Sequence, residues 1–229
     1  VASGLALFGF FLSLIVLNEP KKHEINQMDF PKESILGILK NPVFSSLFII
    51  ILVSSFGLQA FESIYSIMAT INFGFTTNDI ALVITISGSL ALICQVFLFD
   101  WIVSKLGEMR LIQLTFFVSA TFIAVIAFTT SHLVVVLSTF VVFLSFDLFR
   151  PAVTTYLSKN GGNQQGAING LNSTFTSFGN ILGPLAAGSL FDLNHFYPYY
   201  VSAMILLGTG FLSLFLTNMT SKKLLLKKS

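Results

Sequence analysis

The stretch "VVFLSFDLFRPAVTTYL", residues 141–157, places Asp147, Arg150 and Pro151 inside a run that is otherwise almost wholly apolar. What these three residues do depends on the medium that surrounds the run. Of the 229 residues, 54% are hydrophobic and 10% are charged, and the mean hydropathy is +0.85. Soluble domains carry about 25% charged residues. The composition therefore predicts a polytopic membrane protein in which 141–157 belongs to a membrane span.

Apolar segments alternate with shorter polar gaps along the chain. Most of the segments reach the roughly 20 residues that a helix needs to cross a bilayer. Because hydrocarbon offers no partner for an open backbone, the spans are predicted to be helices and the fold class to be all-α. The seven predicted segments are 1–17, 43–71, 80–99, 111–130, 133–157, 166–191 and 199–217. The first segment is short and opens on Val1, so we expect the chain to be a piece of a longer protein.

Basic residues are confined to alternate gaps. Of the twelve Lys and Arg residues, eleven lie in 18–42, 100–110, 158–165 or the tail 218–229, and the twelfth is Arg150. The other three gaps contain neither Lys nor Arg. The positive-inside rule therefore predicts that these four segments are cytoplasmic and that the protein is a multi-pass protein of the cell membrane.

Three charged residues, Glu62, Asp147 and Arg150, fall inside predicted spans. A charge at the centre of a membrane helix costs about 2.5–3.5 kcal/mol on insertion scales. Such residues usually face a cavity or a partner and by default indicate function. Two structural alternatives stay open at this point. Asp147 and Arg150, one turn apart, would merely satisfy each other, and Glu62 would reach out to the membrane surface.

Two prolines lie one helical turn after polar residues. Pro151 has no N–H for the carbonyl of Asp147, and Pro184 has none for the carbonyl of Asn180. A free carbonyl at membrane depth is tolerated where protein or a wet cavity satisfies it. The pair of prolines therefore predicts a shared central cavity, although either one alone also fits a simple packing kink.

Polar side chains are spaced to form one stripe on each of three predicted helices. Their larger members, glutamate, glutamine and asparagine, are predicted to line a path. Small polar residues equally fit contacts between membrane helices. The stripes consist of Ser55, Gln59, Glu62 and Ser66, of Thr85, Gly88 and Gln95, and of Asn169, Ser173, Thr176 and Asn180.

Phenylalanines such as Phe61 and Phe146 flank these stripes. Their rings could hold a flat apolar ligand or a cation. With 26 phenylalanines in the chain, most are expected to pack in the core or face lipid.

Three stretches resemble helices of the major facilitator superfamily, and in particular the NorA/Bmr-like group of bacterial multidrug efflux pumps. "SFGLQAFESIYS" (55–66) resembles the seventh helix of that group, "FDLFRPAVTTY" (146–156) the tenth, and "GLNSTFTSFGNILGPLAAGSLFD" (170–192) the eleventh. The resemblance covers the whole chain. It implies the end of a preceding transmembrane helix at 1–17, a cytoplasmic central loop at 18–42, a six-helix C-terminal transporter half at 43–217 and a cytoplasmic tail at 218–229.

The resemblance also implies roles at matching positions. Glu62 and Asp147 match the acidic pair linked to proton coupling, Arg150 matches the arginine beside it, and Gln95 and Asn180 match positions at or near the drug pocket. Together with the stripes and their flanking rings, this gives a set of predicted substrate-binding residues. They are Gln59, Gln95, Phe61, Phe146, Ser173, Thr176 and Asn180.

The function so implied is proton-driven export of apolar cationic or zwitterionic drugs such as quinolones and dyes. A carboxylic acid in a medium of low dielectric resists ionisation. Asp147 has Arg150 one turn away, whereas Glu62 has no partner on its own helix, so Glu62 is the predicted proton carrier. Arg150 reaching across to Glu62 would reverse that assignment. The expected partners are small-molecule drugs, protons, membrane lipid and a missing N-terminal half, with no nucleic acid, cofactor or metal.

Other classes of protein fit parts of the same pattern. A metabolite transporter would share the topology, and a seven-helix receptor would share the number of spans. An enzyme is not expected, because His23, His132 and His195 all lie in predicted loops and show no metal site or catalytic triad. The lone Cys94 offers neither a disulfide framework nor a cysteine metal cluster.

Overall fold

The structure is a computed structural model that describes residues 4, 7, 8, 10–13 and 35–226, apart from the side chains of 163, 216 and 218–226. The chain divides into two units, Val1–Ser34 and Ile35–Ser229. In the first unit all the described residues are helical, and rings such as Phe8 and Phe11 are exposed. The assignment of 1–17 to the end of a transmembrane helix stays a prediction. The first part of the predicted loop, 18–34, lies outside the described residues.

The second unit is built from α-helices joined by short connections, and the part of the chain that the structure describes contains no strand. A π-helical turn, Cys94–Leu98, joins the helix Thr77–Ile93 directly to the helix Phe99–Leu106, and a 3-10 turn, Gly162–Gln164, precedes the helix Gln165–Leu193. The α-helices are α1 (Ile35–Lys40), α2 (Pro42–Phe73), α3 (Thr77–Ile93), α4 (Phe99–Leu106), α5 (Glu108–Phe128), α6 (His132–Asn160), α7 (Gln165–Leu193) and α8 (Tyr197–Leu226).

The predicted all-α fold is confirmed. The six apolar segments between 43 and 217 correspond to α2, α3 with α4, α5, α6, α7 and α8. Five of these helical stretches are long and apolar enough to cross a membrane: Pro42–Phe73, Thr77–Leu106, Glu108–Phe128, His132–Asn160 and Tyr197–Phe215. The sixth, α7, has a sufficient length of 29 residues, but its many Asn, Ser, Thr and Gly residues keep it less apolar. The short helix α1, inside the predicted central loop, was not expected.

The ends of α2 and the start of α3 follow local sequence signals. Asn41 caps α2, since its Oδ1 accepts a hydrogen bond from the N–H of Val43 at 3.0 Å, and Pro42 occupies the first turn, where no N–H is needed. Gly74 ends α2 with a φ of 65°, a left-handed conformation that favours glycine. Thr76 and Asp79 then form a capping box that starts α3.

Helix α2 packs most extensively against α7 and also against α8, whereas α5 packs between α6 and α8, and α3 contacts mainly α6. The close approach of α2 and α7 depends on Gly179 and Gly183, four residues apart. A Cβ added to Gly179 would lie 2.6 Å from the Cβ of Ser55, and one added to Gly183 would lie 2.7 Å from the carbonyl oxygen of Phe56. Small residues at this spacing let membrane helices approach closely. The contact fixes the polar stripe of α2 relative to α7.

Candidate functional site

Glu62 lies near the middle of α2 and is half-buried. Gln59, one turn earlier on the same helix, lies beside the carboxylate of Glu62 and interacts with it. The charged groups that act on Glu62 are Arg150 and Asp147, both from α6. The structure therefore brings the three charged residues predicted inside spans into one electrostatic cluster, although they lie on two helices that are far apart in sequence.

Arg150 is exposed and acts electrostatically on both carboxylates. Within the described ranges, the one ion pair closer than 4 Å joins Lys159 to Glu108. Arg150 thus makes no close ion pair with Asp147 or with Glu62 in this arrangement. The self-contained Asp147–Arg150 pair that the sequence left open is not formed, and the guanidinium is a fixed positive charge that both carboxylates share.

Pro151 lies inside α6, which continues through it from His132 to Asn160. The carbonyl of Asp147, four residues before the proline, therefore accepts no hydrogen bond from the backbone N–H that would normally lie at position 151. The side-chain amide of Gln95 donates a hydrogen bond to this carbonyl at a distance of 2.8 Å. Gln95 belongs to the π-helical turn between α3 and α4. The polar group that the proline exposes is therefore satisfied by a side chain from another helix.

A cavity of about 370 Å³ lies between α2, α6 and α7. Helices α2 and α6 contribute both apolar and polar side chains to its wall, and α7 contributes a polar face. Of the residues predicted to bind substrate or couple protons, four contribute to the wall: Arg150, Ser173, Thr176 and Asn180. Ligand sites of proteins commonly have volumes of about 300–1,000 Å³ and a mostly apolar lining with a few polar groups. The volume of this cavity falls in that range, and its lining is more polar than is usual because α7 contributes only polar side chains.

Phe61 and Phe146 are placed in the core and do not line this cavity. Phe61 is 1% exposed, and its ring lies 5.8 Å from that of Tyr65, 5.9 Å from that of Phe143 and 5.3 Å from that of Tyr199. Phe146 is 4% exposed. These positions give the two rings a packing role, the alternative that the large number of phenylalanines in the chain also favours. Contact of either ring with a substrate stays a prediction.

Gln59 and Gln95 are also absent from the cavity wall. Each instead supports an acidic residue, Gln59 through the carboxylate of Glu62 and Gln95 through the backbone of Asp147. The sequence placed both glutamines on polar faces but gave no sign of these partners. Pro151 was the available signal for the second contact, because it predicts an acceptor that some neighbouring donor must satisfy.

Metal ligands do not gather in this site. Among the residues that the structure describes, no group of three or more His, Cys, Asp or Glu side chains is arranged to hold a metal ion. The charged cluster has two carboxylates and one guanidinium, a composition suited to binding protons and charged organic groups.

Comparison with known proteins identifies the fold family. The family model described as Major Facilitator Superfamily matches residues 1–184 and, in a second and overlapping match, residues 47–228. The chain belongs to the major facilitator superfamily. As a member of that superfamily with five helices long and apolar enough to cross a bilayer, it is a multi-pass membrane protein.

Curated relatives in the superfamily include bacterial drug-resistance proteins. Multidrug resistance protein 1 of Bacillus subtilis is 40% identical over 205 residues, which cover 90% of this chain and 53% of that protein. Multidrug resistance protein 2 of the same organism is 41% identical, with the same two coverages. Quinolone resistance protein NorA of Staphylococcus aureus is 35% identical and is covered over 52% of its length. The predicted resemblance is thus confirmed, and the chain spans about half the length of these relatives.

A solved superfamily structure shares the fold. The crystal structure of the human organic anion transporter MFSD10 (TETRAN) superposes with a TM-score of 0.69 and 15% sequence identity, over 78% of this chain and 44% of that one. At this level of identity the likeness concerns the arrangement of helices alone. It agrees with the helical architecture described above.

Proposed function

We propose that the chain is the C-terminal half of a proton-coupled multidrug efflux transporter that exports apolar cationic or zwitterionic drugs. The observation that carries the proposal is the cluster of Glu62, Asp147 and Arg150 beside a partly polar cavity at membrane depth. Ionisable groups in membrane helices are costly and mark proton relays and substrate paths. The names of the B. subtilis and S. aureus relatives, which refer to multidrug and quinolone resistance, support drugs as the cargo.

In this mechanism Glu62 is the proton carrier. Its carboxylate is half-buried on α2, and Gln59 and the charge of Arg150 interact with it. Arg150 stays charged throughout and offsets whichever carboxylate is ionised. When Glu62 releases its proton, the cluster gains a negative charge that favours a cationic drug. When Glu62 is protonated again, that attraction is lost and the drug leaves, so the two ligands compete and move in opposite directions.

The membrane potential supplies a driving force for this exchange. Moving one elementary charge across 100 mV is worth about 2.3 kcal/mol. Exchange of one proton for a singly charged cationic drug moves no net charge and depends on the proton concentration gradient alone. Exchange of one proton for a zwitterionic drug moves one net charge per cycle, so such a potential biases an equilibrium between two conformations roughly fiftyfold, since about 1.4 kcal/mol corresponds to a factor of ten. A bias of this size is sufficient to favour either the inward-facing or the outward-facing conformation of a transporter whose two halves rock about a central site.

The substrate site of this mechanism is completed by a second half. Transporters with repeated halves bind cargo near the bilayer midplane at the interface between the repeats. We therefore assign 43–217 to one six-helix half whose polar α7 face, including Ser173, Thr176 and Asn180, meets the cargo. The segments 18–42, 100–110 and 158–165 and the tail 218–229 are assigned to the cytoplasm by their lysines and arginines. The chain by itself is expected not to transport.

The proposal is tested by replacing Glu62 with glutamine in the complete transporter that contains this chain. Glu62→Gln keeps the size and the hydrogen bonding of the side chain but cannot carry a proton. We expect efflux of several chemically unrelated fluorescent dyes from cells to fall to the level of cells without the transporter. Asp192→Asn is the matched control, because Asp192 is an exposed carboxylate at the far end of α7.

Efflux by Glu62→Gln equal to that by Asp192→Asn would remove Glu62 from the mechanism. Efflux of a single dye class, or of none in the unaltered protein, would favour a transporter of one metabolite over a multidrug pump. Immunodetection of each variant in the membrane fraction confirms that the proteins compared are present in equal amounts.

A further inference from the structure

One hydrogen bond joins two helices at a point where the backbone needs a donor. The acceptor is the carbonyl of Asp147, which Pro151 leaves without its helical N–H, and the donor is the amide nitrogen of Gln95 at 2.8 Å. The two residues are 52 positions apart in sequence. The contact therefore ties the α3–α4 junction to the turn of α6 that carries Asp147.

The backbone around Gln95 is also unusual. In the turn Cys94–Leu98, the N–H of Phe99 donates to the carbonyl of Cys94, five residues earlier, which is a π-helical bond. Such turns are rare, insert an additional residue and are frequent at functional sites. Here the turn lies between two regular helices and carries the one side chain that reaches the freed carbonyl. If this turn were regular α-helix, the side chains that follow it would be rotated by about 100° around the helix axis, which is the angle between successive residues.

The second proline in a long helix lacks this arrangement. Pro184 leaves the carbonyl of Asn180 without a helical donor. Within the described part of the chain, no side chain donates a hydrogen bond to that carbonyl, and Asn180 instead lines the cavity. The contact made by Gln95 is therefore not a general consequence of proline in these helices. It is specific to the turn that holds Asp147.

We propose that Gln95 is a positioning residue whose amide replaces the N–H that Pro151 lacks and so fixes the turn of α6 from which Asp147 and Arg150 project. We call this contact the Gln95 clasp. It is reversible, because a side chain can leave a carbonyl at little cost when water takes its place. Gln95 is exposed and Asp147 is half-buried, so the clasp lies at the edge of the contact between the two helical segments, where water can compete for the carbonyl. Its coupling to export rests on the proposed function, but the clasp itself does not.

The clasp makes a prediction about the combination of two substitutions. Gln95→Leu removes the donor and leaves the Asp147 carbonyl unpaired. Pro151→Ala restores a helical N–H to that carbonyl and makes the Gln95 amide unnecessary. If the clasp exists, the effect of Gln95→Leu is large in the native chain and small when Pro151 is replaced by alanine. A glutamine that only contacts solvent or cargo would show the same effect in both backgrounds.

Cys94 reports on the clasp directly, because it is the single cysteine of the chain and adjoins Gln95. We propose to measure its rate of labelling by a maleimide in the 229-residue chain reconstituted in lipid nanodiscs. A hydrogen bond contributes about 0.5–1.5 kcal/mol net, so Gln95→Leu is expected to speed labelling roughly two- to tenfold. In the Pro151→Ala background the same substitution is expected to change the rate less than about twofold.

Pro184→Ala is the matched control, since it restores an N–H to a different carbonyl and is expected not to suppress the effect of Gln95→Leu. If Gln95→Leu changes the labelling rate of Cys94 equally in the native chain, in Pro151→Ala and in Pro184→Ala, the clasp is wrong. Gln95→Glu provides a second test that does not depend on the folding of any proline variant. The carboxyl group that this substitution introduces can donate to the carbonyl when it is protonated and cannot when it is ionised.

The labelling rate of Gln95→Glu relative to the native chain is therefore expected to stay near one at acidic pH and to rise as the pH increases through the titration of the new carboxyl group. A ratio that does not change with pH would contradict the clasp. These measurements need no transport. If the labelling rates follow these expectations but the dye assay fails, the proposed function is wrong and the clasp stands. If the dye assay succeeds but the labelling rates do not follow them, the clasp is wrong and the proposed function stands.

Discussion

The contact between α2 and α7 can be tested with one methyl group. Gly179→Ala places a Cβ 2.6 Å from the Cβ of Ser55, 2.7 Å from the carbonyl oxygen of Leu52 and 2.7 Å from the backbone nitrogen of Phe56. Two of these three neighbours are backbone atoms, which cannot move aside as a side chain can. The helices must therefore separate. Overpacking of this kind costs typically about 1–3 kcal/mol, and we expect a loss of about 2 kcal/mol in the free energy of unfolding.

The matched control is Gly188→Ala on the same helix, where an added Cβ would find no atom within 4 Å. Alanine favours a helix over glycine by up to about 1 kcal/mol, so this variant is expected to be neutral or slightly more stable. Both variants of the purified chain are unfolded by denaturant in detergent micelles and followed by circular dichroism. Equal stabilities for Gly179→Ala and Gly188→Ala would refute the close packing of α2 on α7. Ser55→Gly is expected to restore only part of the loss, because the backbone neighbours remain.

Two further predictions concern the ends of helices. Gly74→Ala is expected to cost about 1–2 kcal/mol in the same unfolding measurement because the φ of Gly74 is 65°, whereas Gly88→Ala, with open space around its Cβ, is expected not to destabilise. The ion pair of Lys159 with Glu108 is largely exposed on the lysine side, so a double-mutant cycle with Lys159→Met and Glu108→Gln is expected to give a coupling energy of about 0.2–1 kcal/mol. That coupling should shrink in about 1 M salt, and a coupling that does not change with salt would contradict its electrostatic origin.

The long helices were predictable because a run of apolar residues must cross hydrocarbon as a helix. The segment predicted at 43–71 became Pro42–Phe73, and the cap at Asn41 and the glycine at Gly74 explain the two added ends. The segment predicted at 80–99 stops earlier than the helical stretch that contains it, Thr77–Leu106. The predicted segment ends before Asp100 and Lys105 because these charged residues end the apolar run. The helix itself continues through them.

Side-chain partners were harder to predict than faces. A spacing of three and four residues shows that Ser55, Gln59 and Glu62 share a face, but not which neighbour that face meets. In the structure Ser55 packs against Gly179, while Gln59 lies beside Glu62. The same limit applies to Gln95, whose contact with Asp147 depends on the register between two helices and on a π-helical turn.

The aromatic residues illustrate a different difficulty. Phe61 flanks a polar stripe in sequence, which made it a candidate to bind substrate, yet its ring is part of a buried cluster with Tyr65, Phe143 and Tyr199. In a membrane helix apolar side chains face both the core and the lipid, so periodicity does not separate the two environments. By contrast, the charged residues Glu62, Asp147 and Arg150 could be selected from sequence because their cost in hydrocarbon leaves few structural reasons for their presence.

In the proposed function, acidic residues in this site exchange protons for drug. The most direct test is proton movement in liposomes that contain the complete transporter and a pH-sensitive dye, with a drug added on one side. Adding drug is expected to start a flux of protons in the direction opposite to the movement of the drug. Glu62→Gln is expected to abolish this proton flux and Asp192→Asn to preserve it. Drug transport by the unaltered protein without any proton flux, or an unchanged flux in Glu62→Gln, would contradict the claim.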